Sequence, residues 1–148
     1  MHKFILVAVV FVMSFTALAQ SNTNSGNMDQ QTFNAFVNAI NAHDVSKLYA
    51  LMTDDHQFID AQGNTVTGKD KMKAGWAGYF QLFPDYEIEV SNVFIKEDTV
   101  AAFGFVEASF KGKNHWRLPA AWKAVIENGK VKLWQVYADT KIPFDSMK

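Results

Sequence analysis

Hydrophobic residues recur at helical spacing through the first half of the chain. The positions i, i+3, i+4 and i+7 that predict a first helix are Phe33, Phe36, Val37 and Ile40. A second, short helix is expected after Asp44, whose carboxylate can accept a hydrogen bond from a free N–H group of its first turn. Thr67 and Asp70 form a capping-box pattern that predicts a third helix, and Pro84 ends it. Its apolar stripe comprises Met72, Trp76, Tyr79, Phe80 and Phe83.

Between the second and third helices, the pattern indicates a short strand at residues 57–59 and a turn at residues 64–68. Gly75 and Gly78 fall inside the third helix. Each lowers helix stability by roughly 1 kcal/mol relative to alanine. We therefore expect another part of the molecule to approach the helix backbone closely there.

The second half of the chain changes to a period of two. Tyr86, Ile88 and Val90 alternate with polar residues, and long strands are predicted at about 99–110, 116–127 and 130–140. Asn128-Gly129, between the last two, favours a two-residue hairpin turn. This order predicts a cone-shaped α+β fold, with three N-terminal helices packed on a strongly curved, mostly antiparallel sheet. A hollow between the two layers is a preferred place for a small-molecule pocket.

The N-terminal segment has the layout of a secretory signal peptide. A charged start precedes an apolar run at residues 4–13 and the small-x-small pattern Ala17-Leu18-Ala19. Cleavage after Ala19 would leave a flexible spacer at residues 20–27 and one domain at residues 28–148. The apolar run is too short to span a bilayer, so no membrane insertion is expected after cleavage. We therefore expect a periplasmic or secreted protein.

Composition narrows the classes of partner and chemistry. The chain of 148 residues has a formal net charge of −1, which argues against nucleic acid or an anionic membrane surface as a partner. It contains no cysteine, which excludes disulfides, a thiol nucleophile and cysteine-bound metal. The 13 Phe, 4 Trp and 4 Tyr residues predict either an aromatic core or an apolar cavity for a small hydrophobic or aromatic molecule. The sequence has no phosphate-binding or metal-binding motif, so neither a cofactor nor a metal ion is predicted.

Seven segments in the chain match known signatures in both order and spacing. They are residues 37–44, 51–55, 58–63, 68–70, 83–85, 127–131 and 136–140. Together they resemble the SnoaL-like (polyketide-cyclase-like) branch of the nuclear-transport-factor-2-like superfamily. The resemblance implies a cone-shaped (cystatin-like) fold and a homodimer that pairs through the outer face of the sheet. It does not fix an activity, because the superfamily includes isomerases, cyclases, dehydratases, epoxide hydrolases and non-catalytic binding modules.

The resemblance also implies roles for four positions. Asp60 lies where ketosteroid isomerases hold their general-base aspartate, and Asp139 lies where SnoaL-like cyclases hold an acid/base aspartate. Phe36 occupies the place of the isomerase's oxyanion-binding tyrosine, and Trp122 falls near the place of its protonated aspartate. Because neither residue carries an O–H group, oxyanion stabilisation of the steroid-isomerase kind is not expected.

The residues themselves support two interpretations of each aspartate. Strand alternation puts His56, Phe58 and Asp60 on one face, and in an aromatic hollow desolvation would raise the pKa of Asp60, as a general base requires. Alternatively, Asp60 caps the turn that follows it. Asp139 shares a face with Tyr137 near the end of the last strand, where it either enters the hollow or caps the next turn. Two acids in one cavity would supply one proton donor and one base.

Other side chains also have two interpretations. Glu107 is either a third buried acid or a solvated glutamate, and Arg117 either binds an anionic ligand or forms a surface ion pair. Trp76, Tyr79, Phe80 and Trp122 either pack the core or form walls of the cavity. His43, His56 and His115 have no metal-ligand spacing, and His56 with Asp60 is the one pair that could bind a metal.

Two functions follow. The first is an exported binding domain with an aromatic-lined pocket, for which the expected ligand-binding residues are Phe36, His56, Phe58, Trp76, Tyr79, Phe80, Glu107, Trp122 and Tyr137. The second is a cofactor-free lyase or isomerase in which Asp60 and Asp139 transfer protons. The missing oxyanion donors favour the binding domain.

Overall fold

The computed structural model describes the backbone of residues 13–148 and the side chains from residue 26 onward. Within that range the elements, in chain order, are α1 (Met13–Asn41), α2 (Val45–Leu51), β1 (Met52–Ile59), β2 (Thr65–Thr67), α3 (Lys69–Leu82), β3 (Glu87–Lys96), β4 (Thr99–Phe110), β5 (Lys113–Glu127), β6 (Lys130–Ala138) and α4 (Lys141–Ser146). The predicted α+β class is confirmed. The described range contains four helices rather than three at the N-terminus, because a short helix follows the last strand.

Residues 1–12 of the predicted signal peptide lie outside the described residues. Residues 20–27, predicted to be a flexible spacer, are helical and continue α1 toward the N-terminus. The signal peptide, its cleavage site and the domain boundaries stay predictions. In the described part of the chain, no helix has the length and hydrophobicity needed to cross a membrane.

The starts of two helices show where local sequence signals succeed and fail. Asp44 caps α2 as predicted, because its side chain accepts a hydrogen bond from the Lys47 N–H at 2.9 Å. The capping box predicted at Thr67 is wrong. Thr67 pairs with Gln57 as the last residue of β2, so the N-cap of α3 passes to Gly68, which makes no side-chain cap. The predicted turn at 64–68 is therefore mostly this short strand.

The six strands form one sheet in the order β2-β1-β6-β5-β4-β3. Every neighbouring pair is antiparallel except β1 with β6, which is parallel. The hairpin predicted at Asn128-Gly129 is confirmed, since both residues have positive φ (52° and 71°) between the paired Glu127 and Lys130. Strands β6 and β5 form the middle of the sheet.

The core lies between the inner face of the sheet and helices α1 and α3. The α1 stripe predicted from sequence is buried there, and Phe33 and Phe36 place their rings 5.5 and 5.0 Å from that of Trp134 on β6. Along β4, Val100, Ala102, Val106 and Ala108 face this core. The opposite face of the same strand carries the exposed Phe103.

Glycines in this fold have different surroundings from those expected. Among the described residues, nothing lies within 4 Å of a Cβ built at Gly78, and a Cβ at Gly75 would meet only the Met72 side chain at 3.8 Å. The expected close approach to α3 is therefore absent from the described part of the chain. It occurs at Gly104 instead, beside the irregular β3–β4 register at Val90 and Asn92, where a Cβ would fall on the Glu89 carbonyl oxygen.

Candidate functional site

A cavity of about 390 Å³ opens between α3, the end of β1, β2, β5, β6 and α4. Its apolar wall is formed by Phe58, Ala61, Val66, Met72, Gly75, Trp76, Phe83, Trp116, Val136, Ala138, Pro143, Phe144 and Met147. Its polar residues are Asp60, Gln62, Tyr79, Tyr86, Asp139 and Thr140. A volume of this size lies within the usual range of small-molecule sites.

Aromatic rings hold one another at the inner wall of the cavity. The ring of Trp76 meets those of Phe58 and Tyr79 edge-on, with centroids 6.1 and 6.0 Å apart. Phe83 meets Trp116 in the same manner at 6.1 Å. Since edge-to-face contacts restrain both partners, they give the wall a defined shape.

Asp60 lines the cavity with both carboxylate oxygens already engaged. Its Oδ1 accepts hydrogen bonds from the backbone N–H groups of Gln62 and Asn64, each at 2.9 Å, and its Oδ2 accepts one from Asn64 Nδ2 at 2.9 Å. Partial burial raises the pKa of Asp60, but the hydrogen bonds from Asn64, Gln62 and Gly63 together outweigh it and lower the pKa below its ordinary value. The expected increase is therefore wrong, and the turn-capping interpretation describes the observed bonding.

Asp139 also lines the cavity, but at its exposed side. Strand β6 ends at Ala138, and the Asp139 side chain accepts a hydrogen bond from the Lys141 N–H at 2.9 Å ahead of α4. Strand alternation thus stops before Asp139, and the expectation that Tyr137 shares its face is wrong. Tyr137 lies outside the cavity and is 50% exposed.

Two tyrosines supply polar groups deeper in the apolar wall. Tyr79 lies in the last turn of α3 and Tyr86 just before β3, with ring centroids 5.1 Å apart and ring planes at 83°. Burial raises the pKa of each phenol, and the neighbouring Tyr79 raises that of Tyr86 further. Both phenols therefore stay protonated at neutral pH.

Contacts from three sides fix the position of Tyr86. The His43 ring N–H donates to the Tyr86 carbonyl at 3.0 Å, and the Tyr86 N–H donates to the Phe83 carbonyl at 3.2 Å. The preceding Asp85 is bonded to Ser109 on β4. His43 itself adopts a positive φ of 51° and stacks its ring on Phe80 at 4.2 Å.

The structure brings only some of the predicted ligand-binding residues to the cavity. Phe58, Trp76 and Tyr79 line it. Phe36 and Trp122 are buried in the core, and Phe80 packs between Trp76 and His43, so none of these three reaches the cavity. The expectation for them is wrong because the core and the cavity share one aromatic layer, and sequence spacing does not separate the two.

His56 is enclosed by the core and does not reach the cavity. Its Nδ1–H donates to the Val131 carbonyl at 2.7 Å, while Nε2 has no hydrogen-bond partner among the described residues. Burial lowers the pKa of His56, and this outweighs the hydrogen bond to Val131 that raises it. The ring is thus a neutral core residue on the strand that pairs with β6.

Glu107 and Arg117 face away from the cavity on the outer side of the sheet. Arg117 binds Glu89 at 2.5 Å and approaches Glu107 at 3.5 Å, with its guanidinium 3.8 Å from the centre of the Phe105 ring. His115 lies 3.8 Å from the same Glu107 carboxylate. Glu107 is therefore a surface ion-pair partner, and its expected place in the pocket is wrong. Arg117 forms a surface ion pair, which was one of its two interpretations.

In the described part of the chain, no cluster of three or more His, Asp or Glu residues could hold a metal ion. His56 and Asp60, the one pair considered, are each committed to other groups: His56 to Val131 and Asp60 to the turn at Asn64. The cavity offers phenol, carboxylate and backbone groups rather than a ligand set for a metal.

Several cavity residues were missed by the sequence analysis. Tyr86 belonged to the alternating pattern that opens β3, which marked it as inward-facing without indicating a cavity. Trp116 lies on the same face of β5 as the buried Leu118, so the alternating pattern likewise marked it as inward-facing. Pro143 and Phe144 of α4 and Met147 just after it follow the last strand and had no apolar periodicity by which to identify them.

Comparisons with known proteins agree with this architecture. The family model of the SnoaL-like domain matches residues 33–134. No curated protein sequence matches the chain.

Solved structures similar to this chain share its fold. A candidate SnoaL-like polyketide cyclase from Jannaschia sp. CCS1 is 17% identical, with a TM-score of 0.73 over 82% of this chain and 92% of that one. A Catenulispora acidiphila protein of ketosteroid isomerase-like fold, in complex with trimethylamine, is 18% identical, with a TM-score of 0.70 over 78% and 92%. TerC, co-crystallised with polyporic acid, is 16% identical, with a TM-score of 0.71 over 81% and 98%.

Proposed function

Since the chain belongs to the SnoaL-like domain family of the nuclear-transport-factor-2-like superfamily, we propose that it is an exported domain that binds a small hydrophobic or aromatic molecule in the cavity between α3 and the sheet. The observation that carries this proposal is the cavity itself, with its wall of interlocked aromatic rings. An apolar molecule of one to three fused rings matches its volume and lining.

The state of Asp60 favours binding over proton transfer. A general base near neutrality needs a free carboxylate with a raised pKa. Both oxygens of Asp60 instead accept hydrogen bonds from the turn that follows, and its pKa is lowered. A carboxylate held in this way organises the rim of the cavity.

A pair of glycines in α3 provides a matched test. Gly75 lines the cavity, whereas Gly78 does not, and a Cβ at either position has room. Titration of indane, an apolar bicyclic probe, into the wild-type protein should show saturable binding by calorimetry. Gly75→Leu should weaken this binding by at least ~10-fold, because the leucine side chain would occupy part of the cavity. Gly78→Leu should leave it unchanged. Burial of a leucine-sized apolar group contributes about 1.5–3 kcal/mol, which is the scale of the contacts that the ligand would lose.

Two results would contradict the proposal. One is the absence of saturable indane binding to a folded wild-type protein. The other is an equal effect of the two leucine substitutions, since only one of them alters the cavity. If indane binds as expected, mass spectrometry of small molecules that co-purify with the protein would identify the natural ligand.

A second candidate function is a cofactor-free lyase or isomerase of the cyclase or ketosteroid isomerase kind. It is favoured by one observation: Asp60 and Asp139 line the same cavity. In that case Asp139, which is engaged by only the Lys141 N–H among the described residues, would be the base. Asp139→Asn should abolish turnover of the small molecule that co-purifies with the protein. Asp145→Asn, on the exposed side of α4, is the control.

The same proposal includes export and a homodimer without a cofactor or metal. Periplasmic or extracellular residence depends on cleavage after Ala19, which N-terminal sequencing of the mature protein tests. The outer sheet face carries Phe94 and Phe103, 61% and 50% exposed, with rings 6.0 Å apart. Phe103→Glu should convert a dimer to a monomer in light scattering, whereas Ile142→Glu on α4 should not.

A further inference from the structure

We propose that Tyr79 and Tyr86 act together as a two-donor clamp for the carbonyl oxygen of a neutral, flat ligand. This inference rests on the proposed binding function and names the class of molecule that the cavity selects. Phe36 and Trp122 carry no O–H group, whereas Tyr79 and Tyr86 each bring one to the cavity.

The two phenols come from different elements of the fold. Tyr79 lies at the end of α3 and Tyr86 in the segment that enters β3, and both line the same cavity. Their rings are in contact, with centroids 5.1 Å apart and nearly perpendicular planes. A carbonyl oxygen has two lone pairs, so one ligand atom can accept a hydrogen bond from each of two neighbouring phenols.

Both hydroxyl groups are available to a ligand. Within residues 26–148, neither phenol makes a hydrogen bond to a protein group, and hydrogen bonding does not contribute to the raised pKa of either. The enclosed, unpartnered polar atoms in that range belong to Thr53, His56 and the four tryptophans, so the phenol oxygens remain accessible. Tyr86 is only 7% exposed, and a donor in such surroundings gains most when a ligand supplies an acceptor.

The surroundings of the pair select against anionic ligands. Burial keeps both phenols protonated, so they present O–H donors to an acceptor. Asp60 and Asp139 line the same cavity, and their carboxylates oppose the entry of a carboxylate ligand. A neutral carbonyl on an apolar ring system, such as an aryl ketone or a quinone, avoids this repulsion and still supplies the acceptor.

Protein contacts position both tyrosines of the clamp. Tyr86 is held by the His43 and Phe83 contacts to its backbone, and the ring of Tyr79 meets Trp76 and Phe83. Because protein groups hold the Tyr86 backbone and the Tyr79 ring, less conformational entropy is lost when the carbonyl binds.

Indane and 1-indanone, which share one shape and differ in a carbonyl group, test the clamp. The ratio of their dissociation constants should shift against 1-indanone by about 3–10-fold in Tyr79→Phe and in Tyr86→Phe, since a net hydrogen bond contributes roughly that much. Indane affinity should stay within about twofold in both variants, which also shows that they are folded. Tyr137→Phe, outside the cavity, should leave both affinities unchanged.

The carbonyl stretching band of bound, ¹³C-labelled 1-indanone gives a readout independent of affinity. It should lie at lower frequency in the wild-type protein than in the double variant Tyr79→Phe/Tyr86→Phe, because hydrogen bonds weaken the C=O bond. The same band in both proteins, or an unchanged affinity ratio, overturns the clamp while indane binding leaves the binding function standing. If neither probe binds the folded wild-type protein, the clamp and the binding function both fall.

Discussion

The Asp85 carboxylate accepts two hydrogen bonds from Ser109: one from its N–H to Oδ1 at 2.7 Å and one from its hydroxyl to Oδ2 at 2.6 Å. This contact ties the segment after α3 to the end of β4. Because Tyr86 is the next residue in the chain, the same contact fixes where one phenol of the cavity stands.

Ser109→Ala should therefore lower stability and ligand affinity together. It removes the hydroxyl bond but keeps the N–H bond, so we expect a loss of about 1 kcal/mol in the free energy of unfolding. Urea denaturation measures this loss, and 1-indanone titration should show weaker binding at a temperature where the variant is fully folded. An unchanged affinity would show that Tyr86 is held adequately by His43 and Phe83 alone.

The Asp85 contact also makes stability depend on pH. Burial raises the pKa of Asp85, but the Ser109 hydrogen bonds and the nearby His115 outweigh it and lower the pKa. A lowered folded-state pKa means that the stabilisation is present above the ordinary value near pH 4 and is lost as pH falls through the folded-state pKa. Asp85→Asn should remove this part of the acid destabilisation in urea melts between about pH 3 and 5.

His56 should produce a second, separate dependence at higher pH. Its pKa is lowered in the folded protein, so the unfolded chain binds the proton more tightly. Stability should thus be fully present above about pH 6.5 and fall as pH drops below it. Thermal melts at closely spaced pH values between about 5 and 7.5 should show this slope in the wild-type protein.

The variant His56→Leu isolates that contribution. It gives up the Val131 hydrogen bond, so it should be less stable at neutral pH, but its stability should vary less between about pH 5 and 7.5. His43 and His115 remain in the variant, so the difference between the two curves belongs to His56. Parallel curves would contradict the assignment.

Two glycine substitutions should change the free energy of unfolding in opposite directions. Gly78→Ala should raise the free energy of unfolding by up to about 1 kcal/mol, because the residue is exposed within a helix and the space for a Cβ is open. Gly104→Ala should lower it by about 2 kcal/mol or more, because the Cβ would overlap the Glu89 carbonyl oxygen and the sheet must shift. Chemical denaturation of both variants measures the two signs in one experiment.

Removal of α4 should open the cavity without unfolding the domain. A chain ending at Thr140 loses three wall residues, Pro143, Phe144 and Met147, while the sheet and the buried core stay complete. We expect indane affinity to fall by about tenfold, since a few cavity contacts contribute on the order of 1.4 kcal/mol. Circular dichroism should show the remaining secondary structure, and unchanged affinity would mean that α4 does not contact the ligand.

The fold could be predicted from sequence largely because its signals are local. The Asn128-Gly129 turn, the Asp44 cap and the α1 stripe each depend on residues within a few positions of one another. Prediction failed where pairing with a distant segment decided the outcome. Thr67 is the example: its capping pattern is local, but its pairing with Gln57 makes it a strand residue.

The candidate site was harder to predict because alternation says which face a residue occupies and not how deep it lies. His56 and Phe58 share a face of β1, yet one is sealed in the core and the other lines the cavity. Their neighbours differ: the ring of His56 lies 6.0 Å from that of Phe36 on α1, whereas the ring of Phe58 lies 6.1 Å from that of Trp76 on α3. Asp60 and Asp139 were placed at the cavity through the family resemblance, while the hydrogen bonds that lower the pKa of Asp60 became visible only in the folded turn.

The parallel contact between β1 and β6 has a consequence for how the chain is made. Phe58 pairs with Trp134, and β6 is the last strand to leave the ribosome. Until then, the edge of β1 that β6 will cover stays unpaired, and such long-range pairings form slowly and expose the chain to misassembly. The nascent polypeptide therefore reaches its finished sheet only after β6 has been synthesised.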